Sequence, residues 1–231
     1  MEKPKAIGHL EFLSPTTVAS TSVFFFQMSA LREVKAELRQ FMKKLLDKVP
    51  LEETKYQSEA VSRKVIDSEW FRESKRLSVY VSTTGEIQTD SIIKSALEMG
   101  KEVFIPQFTK GSTEMQMVRV PDQESFDSLP STLWGIRQPK PEWKWESYHI
   151  TGPLDLILAP GVAFSPSFLR CGHGKGYYDR FFATHQVNFP SSSPMKIGLA
   201  LRQQIVQTIP VSDTDVLLDN VVYEGEPILS S

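Results

Sequence analysis

The stretch 154-LDLILAPGVAF-164, read together with 171-CGHGKGYYDRFFATH-185, decides the fold. Leu154 to Ala159 is short, β-rich and apolar at nearly every position, which suits a strand buried on both faces. Pro160 and Gly161 end it. The chain then tightens into Gly172, His173, Gly174, Lys175 and Gly176, after which Tyr178, Phe181, Phe182 and His185 recur at helical spacing. The order is strand, glycine loop, helix. Glycines remove the Cβ atoms that keep a large anion from backbone N–H groups, and a helix start adds unpaired donors with partial positive charge. Lys175 adds a full charge, although the pattern Gly-x-x-x-x-Gly-Lys-Ser/Thr is absent. Asp179 would repel a phosphate unless a hard cation such as Mg²⁺ lay between them. Spacing alone leaves a second reading open, in which the glycines only make a tight turn and Asp179 only complements the helix dipole.

Outward from this stretch, the chain reads as alternating helices and strands. Leu31, Val34, Leu38, Phe41, Met42, Leu45 and Leu46 form one stripe on a helix from Ala30 to Leu46. Lys35 and Arg39, one turn apart, flank it, either around a shared anion or as a solvated edge. Pro50 opens a second helix, Leu51 to Ile66, with Val61 and Val65 inward. Arg76 to Ser82 alternates as a strand, Asp90 is placed to cap a helix that Gly100 stops, and Glu102 to Ile105 is the next strand. Met115 to Val120, Lys196 to Leu201 and a segment near Val221 complete the strands. Strand, helix, strand units predict an α/β fold: a three-layer sandwich with a mostly parallel central sheet and helices on both faces. Pro121 to Pro153, with five prolines and Trp134, Trp143 and Trp145, reads as an ordered loop region lying over the sheet.

Composition narrows the class. At 231 residues, one domain is expected, large enough to bury a core unaided. A net charge of -2, from 26 basic and 28 acidic residues, argues against a nucleic-acid surface. A single cysteine excludes an internal disulfide and fits a reducing compartment. No apolar run approaches the length of a membrane span. Residues 1–28 are expected to be a poorly ordered extension ahead of a domain over 29–231, with Met28 an alternative start; a cleaved targeting segment is the other reading. A cytoplasmic monomer is the expectation, with a mitochondrial location as the alternative.

In this order the pieces resemble the 5-formyltetrahydrofolate cyclo-ligase family, also called methenyltetrahydrofolate synthetase, over about Leu31 to Glu224. The resemblance is carried by Lys35-x-x-Leu38-Arg39, Ser82 to Glu86, Phe104-Ile105-Pro106 and Met117-Val118-Arg119. Trp134-Gly135-Ile136, Gln138-Pro139, Pro160 to Phe164, Gly172-x-Gly174-Lys175-Gly176-Tyr177-Tyr178-Asp179, Asp215 and Asp219 continue it. It implies an enzyme that joins ATP cleavage to closure of 5-formyltetrahydrofolate into the 5,10-methenyl form, with ATP and a reduced folate as its small-molecule partners. It implies that Lys35, Arg39 and residues Gly172 to Tyr178, with His173 among them, hold ATP, and that Lys175 and Arg170 are catalytic. Val81, Glu86, Trp134 and Tyr178 would contact the folate, and Asp179 and Asp215 would hold Mg²⁺.

Three positions depart from the family pattern. Ser165 stands where the family usually has Asp, Phe168 where it has a turn glycine, and His173 where an arginine is common. These departures motivate an alternative, a catalytically weakened folate- or nucleotide-binding protein of the same fold. A sugar-phosphate isomerase on a related sheet is a further rival that would need no ATP.

Overall fold

The computed structural model describes residues 15–225, with side chains described from residue 29 onward. A long helix, α1 (Pro15–Leu46), leads into α2 (Leu51–Ile66), entered through Pro50 at φ -61°. Glu52 and Glu53 lie in the first turn of α2 and Arg63 and Lys64 in its last, the arrangement the helix dipole favours. A short α3 (Glu69–Glu73) is capped by Ser68, whose Oγ accepts from Phe71 N at 3.3 Å. Then follow β1 (Arg76–Val79), α4 (Asp90–Glu98), β2 (Glu102–Phe108) and β3 (Met115–Arg119). The Pro-rich region carries α5 (Gln123–Asp127) and α6 (Tyr148–Thr151). The chain closes with β4 (Leu156–Ala159), a hairpin of β5 (Ala163–Phe164) and β6 (Arg170–Cys171), α7 (Tyr177–Asn188), β7 (Met195–Ala200) and β8 (Asn220–Tyr223).

Six strands form one sheet in the order β3-β2-β1-β4-β7-β8, and only β3 runs antiparallel. With its helices this is the expected α/β sandwich. All four residues of β4 are buried, as its continuous apolar run requires of a strand covered on both faces. From β1 the chain moves to one side of the sheet, and β4 starts the excursion to the other. The carboxyl ends of β1 and β4 thus flank the switch point where open α/β sheets leave a crevice.

Phe164 fixes the small hairpin onto the sheet. It is fully buried, and a Cβ built at Gly161 or Gly198 would lie 2.6 or 2.5 Å from its ring. Those two glycines leave the space the ring fills. On α7, Tyr178, Phe181, Phe182 and His185 are all buried. His185 Nε2 accepts from Leu154 N at 3.1 Å, and burial lowers the imidazole's pKa, which keeps it a neutral acceptor at the entry to β4.

Several local expectations change. The first helix starts at Pro15, not Ala30, so the extension expected over 1–28 falls on residues 1–14, outside the described residues, and on the first turns of α1. Val34 and Phe41 on that helix are exposed, while Lys35 is buried with Met42, because α1 turns an ionic edge toward the chain's other half. Asp90 does not cap α4; Thr89 is the cap residue, its hydroxyl donating to Tyr80 O at 2.7 Å, and Asp90 instead accepts from Arg137 at 2.5 Å. Among the described residues, no helix is long and apolar enough to cross a membrane.

Candidate active site

A cavity of about 660 Å³, ordinary for a small-molecule site, opens over the switch point. Its floor comes from the segments leaving three strands: Tyr80, Val81, Thr83 and Glu86 after β1, Pro106 and Phe108 at the end of β2, and Pro160 after β4. One side is α1 and the turn at Ser212 to Asp215, and another is the glycine loop with the start of α7. All fifteen residues to which the resemblance gives a site role line this one cavity. Five cationic side chains, Arg32, Lys35, Arg39, Arg170 and Lys175, face three carboxylates, Glu86, Asp179 and Asp215, which favours an anionic guest.

The glycine loop presents donors. Among the described residues, none of the backbone N–H groups of 172–176 has a hydrogen-bond acceptor, whereas Arg39 Nε takes the Gly172 carbonyl at 2.8 Å. Gly174 and Gly176 have φ of +90° and +66°, a region that L side chains rarely adopt. Free amides in such a turn, ending at a helix start, make a concave donor surface for phosphate.

The charged side chains pair selectively. Lys35, 91% buried, forms an ion pair with Asp215, which also accepts from Ser212 N at 2.6 Å and Ser212 Oγ at 2.9 Å. Burial pushes the Asp215 carboxyl up, but the Lys35 ammonium and the two Ser212 donors outweigh it and hold the group below the usual carboxylate range. Arg170 Nη2 donates to Asp179 Oδ1 at 2.8 Å, and its guanidinium lies over the rings of Tyr178 and Phe182. Among the described residues, the Lys175 ammonium alone of the four sequence-predicted cationic groups has no protein partner, and Lys175 is exposed.

Asp179 and Asp215, both on the cavity wall, fit a role as Mg²⁺ ligands in one respect. Asp179 accepts on Oδ1 and Asp215 on Oδ2, which leaves the other oxygen of each without a protein partner among the described residues. Mg²⁺ commonly takes one or two carboxylates and completes its shell with phosphate oxygens and water, so no larger cluster of acids is needed. Among the described residues none is present.

The opposite wall is aromatic. Trp134 and Gly135 both turn left-handed, at φ 58° and 75°, an uncommon conformation for a bulky residue, and the indole is 60% exposed. Its ring meets Phe108 edge-on with centroids 5.7 Å apart, and Phe108 meets Tyr177 at 5.0 Å. Of the three tryptophans in the loop region over the sheet, Trp143 and Trp145 pack on the core, while Trp134 leaves its indole on the cavity wall. Glu86 is buried, with Oε2 accepting from Thr83 N and Oγ1 at 2.8 and 2.9 Å and Oε1 3.4 Å from His173 Nε2. The Tyr178 hydroxyl is buried with no hydrogen-bond partner among the described residues, and burial raises its pKa, so the phenol stays protonated.

A family model described as the 5-formyltetrahydrofolate cyclo-ligase family matches residues 31–224. The chain belongs to that family. A Caenorhabditis elegans protein named "Probable 5-formyltetrahydrofolate cyclo-ligase" is 76% identical over 202 residues, 87% of this chain and 98% of its own length. The mouse 5-formyltetrahydrofolate cyclo-ligase is 38% identical over 199 residues, 86% of this chain and 96% of its own. Among solved structures, Aquifex aeolicus 5,10-methenyltetrahydrofolate synthetase superposes with a TM-score of 0.64 at 27% identity, covering 82% of this chain and 89% of that one.

Within this cyclo-ligase frame, two of the departures from the family pattern lie off the site. Ser165 and Phe168 are not on the cavity wall. Ser165 Oγ accepts from Leu169 N at 3.2 Å and shares a hydrogen bond with Ser167 Oγ at 2.9 Å, while Phe168 takes the turn's φ of +61° and packs its ring against the core. Only His173 replaces a residue facing the ligand space.

Sequence reasoning missed Arg32, Thr83, Phe108, Cys171 and Ser212, all on the wall. Arg32 carried a signal, since 32, 35 and 39 share one helical face. Phe108 and Ser212 arrive through tertiary contact and left none, while Thr83 and Cys171 lie inside the quoted stretches Ser82 to Glu86 and Cys171 to His185 but were given no role.

Proposed function

We propose that this chain converts 5-formyltetrahydrofolate to 5,10-methenyltetrahydrofolate, consuming ATP and releasing ADP and phosphate. The observation that carries this reading is a single cavity joining a loop of unpaired N–H donors and cations to an aromatic and carboxylate wall. Family membership supports the folate chemistry.

The formyl oxygen is a poor leaving group. In the proposed route it attacks the γ-phosphorus of ATP and ADP leaves; N10 then attacks the activated carbon, loses its proton, and phosphate departs with the former formyl oxygen. Phosphoryl transfer asks the protein mainly for positioning and charge neutralisation. The unpaired amides of 172–176 and the unpartnered Lys175 ammonium supply donors to the triphosphate oxygens, and Lys35 and Arg39 hold its far side. Bound Mg²⁺, for which Asp179 and Asp215 are the candidate ligands, would shield the growing phosphate charge. Arg170 orients Asp179. Glu86 and Val81 face the pterin, Trp134 walls the folate, and the protonated Tyr178 phenol is a donor next to Glu86 and Arg170. The protein acts as a cytoplasmic monomer in this reading.

The weakened-binder alternative is disfavoured because Ser165 and Phe168 sit outside the cavity. Purified protein should form the methenyl product, followed by its absorbance, from 5-formyltetrahydrofolate with ATP and Mg²⁺. Calorimetric binding of both ligands with no ADP released would overturn the activity and establish a binder instead.

A further inference from the structure

We propose that Arg180 is a positioning residue that holds the 172–176 loop in its donor-presenting shape and braces it against the β2–β3 turn. The inference rests on the nucleotide role proposed for that loop. Arg180 stands in the first turn of α7 and is not on the cavity wall, so any action on a ligand passes through its neighbours. Its Nη2 donates to Lys175 O at 2.6 Å and to Thr113 O at 2.6 Å, and its Nε donates to Thr113 O at 2.9 Å. The guanidinium lies 5.4 Å from the Tyr177 ring centroid, and Tyr177 OH donates to Ser112 O at 3.0 Å, a second tie between the same two segments.

The physical consequence follows from the planarity of the peptide. In a trans peptide, the carbonyl of one residue and the N–H of the next point in opposite directions. A guanidinium that fixes the Lys175 carbonyl therefore fixes the direction of the Gly176 N–H. Arg39 does the same at the other end, since its hold on the Gly172 carbonyl sets the His173 N–H. Both carbonyls are thus tied down by arginines while the amides of 172–176 remain without acceptors. Gly176 fits this brace in particular. A Cβ there would lie 2.9 Å from Arg180 Nη1, so the missing side chain is the space in which the guanidinium crosses the loop. Only arginine offers planar, forked donors that reach two carbonyls at once; a lysine reaches one as a point charge.

The brace also reaches the aromatic wall. Thr113 and Ser112 belong to the turn between β2 and β3, and Phe108 at the end of β2 packs against both Trp134 and Tyr177. One exposed side chain thereby spans the segments that carry the two proposed subsites.

The test is calorimetric titration of ADP with Mg²⁺ into wild type, Arg180→Ala and Arg180→Lys, alongside separate KM values for ATP and 5-formyltetrahydrofolate. Arg180→Ala is expected to weaken ADP about tenfold or more, the effect of one lost charge-assisted hydrogen bond, and to raise the KM for ATP to match. The folate KM should move less than about threefold, and Arg180→Lys should fall between alanine and wild type. ADP affinity within about twofold of wild type in Arg180→Ala would overturn the inference. So would equal losses for both substrates with a lowered Tm, the mark of general loosening. A wild type that binds no ADP would overturn it along with the functional reading. Intact ADP binding without product would refute the activity alone, and the calorimetric comparison would still decide the role of Arg180.

Discussion

Replacing Arg170 with alanine removes a guanidinium whose side chain is only 3% exposed and which is the sole charged partner of Asp179 among the described residues. Three kinds of contact go with it: the 2.8 Å bond to Asp179, a 3.3 Å bond to Pro160 O, and the approach to the Tyr178 and Phe182 rings at 5.5 and 5.8 Å. Breaking one side of a buried ion pair costs about 3–5 kcal/mol, much of it from the charge left behind. Asp179 keeps 24% of its side chain in solvent, which moves the ionic part toward the lower limit of that range. Loss of the cation–ring contacts adds roughly 1 kcal/mol, giving a total near 4 kcal/mol. Asp179→Ala should cost about 3–4 kcal/mol, since Arg170 keeps Pro160 O and the rings but its guanidinium, the more deeply buried charge of the two, is left without a counter-ion. Equilibrium urea unfolding of wild type, both single variants and the double variant measures the coupling, expected at about 1.5–3 kcal/mol. Additivity within about 0.5 kcal/mol, or a loss under about 1 kcal/mol for Arg170→Ala, would refute the argument that this pair holds Asp179 in place.

Three further outcomes follow from the same geometry. Lys175→Ala should lower kcat at least about a hundredfold, the scale of one lost transition-state donor, while Tm stays put because the Lys175 ammonium has no protein partner among the described residues and the backbone carbonyl that Arg180 holds is kept; steady-state kinetics and thermal unfolding check both. Gly176→Ala should destabilise the fold by about 1–2 kcal/mol, through its φ of +66° and the 2.9 Å approach to Arg180, and should raise the KM for ATP; urea unfolding and initial rates test it. Because the folded pKa of Asp215 lies below its ordinary value of 3.8, the ionised group stabilises the fold above that value, and this contribution disappears as pH falls through the lower folded value. Asp215→Asn should therefore be less stable than wild type at pH 7 and should lose less stability on acidification, which unfolding curves at a series of pH values will show.

How much was legible from sequence differs from element to element. The bounds of α2 and the buried face of α7 followed from periodicity because their neighbours ask only for an apolar stripe. The stripe on α1 misled at Val34 and Phe41, since apolar spacing cannot reveal that α1 buries Lys35 toward Asp215, a partner 180 residues away. The cap assigned to Asp90 failed for a similar reason: a non-local arginine takes the carboxylate. At the site, the glycine block identified its own region, but the resemblance was needed to connect it with Glu86, Trp134 and Asp215. Arg180 left no sequence signal, because its partners are backbone carbonyls, which every residue carries.

The most direct measurement starts from 5-formyltetrahydrofolate labelled with ¹⁸O in the formyl group. Turnover with ATP and Mg²⁺ should deliver the label to the released phosphate, one atom per methenyl product formed. Label recovered in water, or methenyl product formed without ATP, would contradict a cavity in which the triphosphate and the folate react with one another.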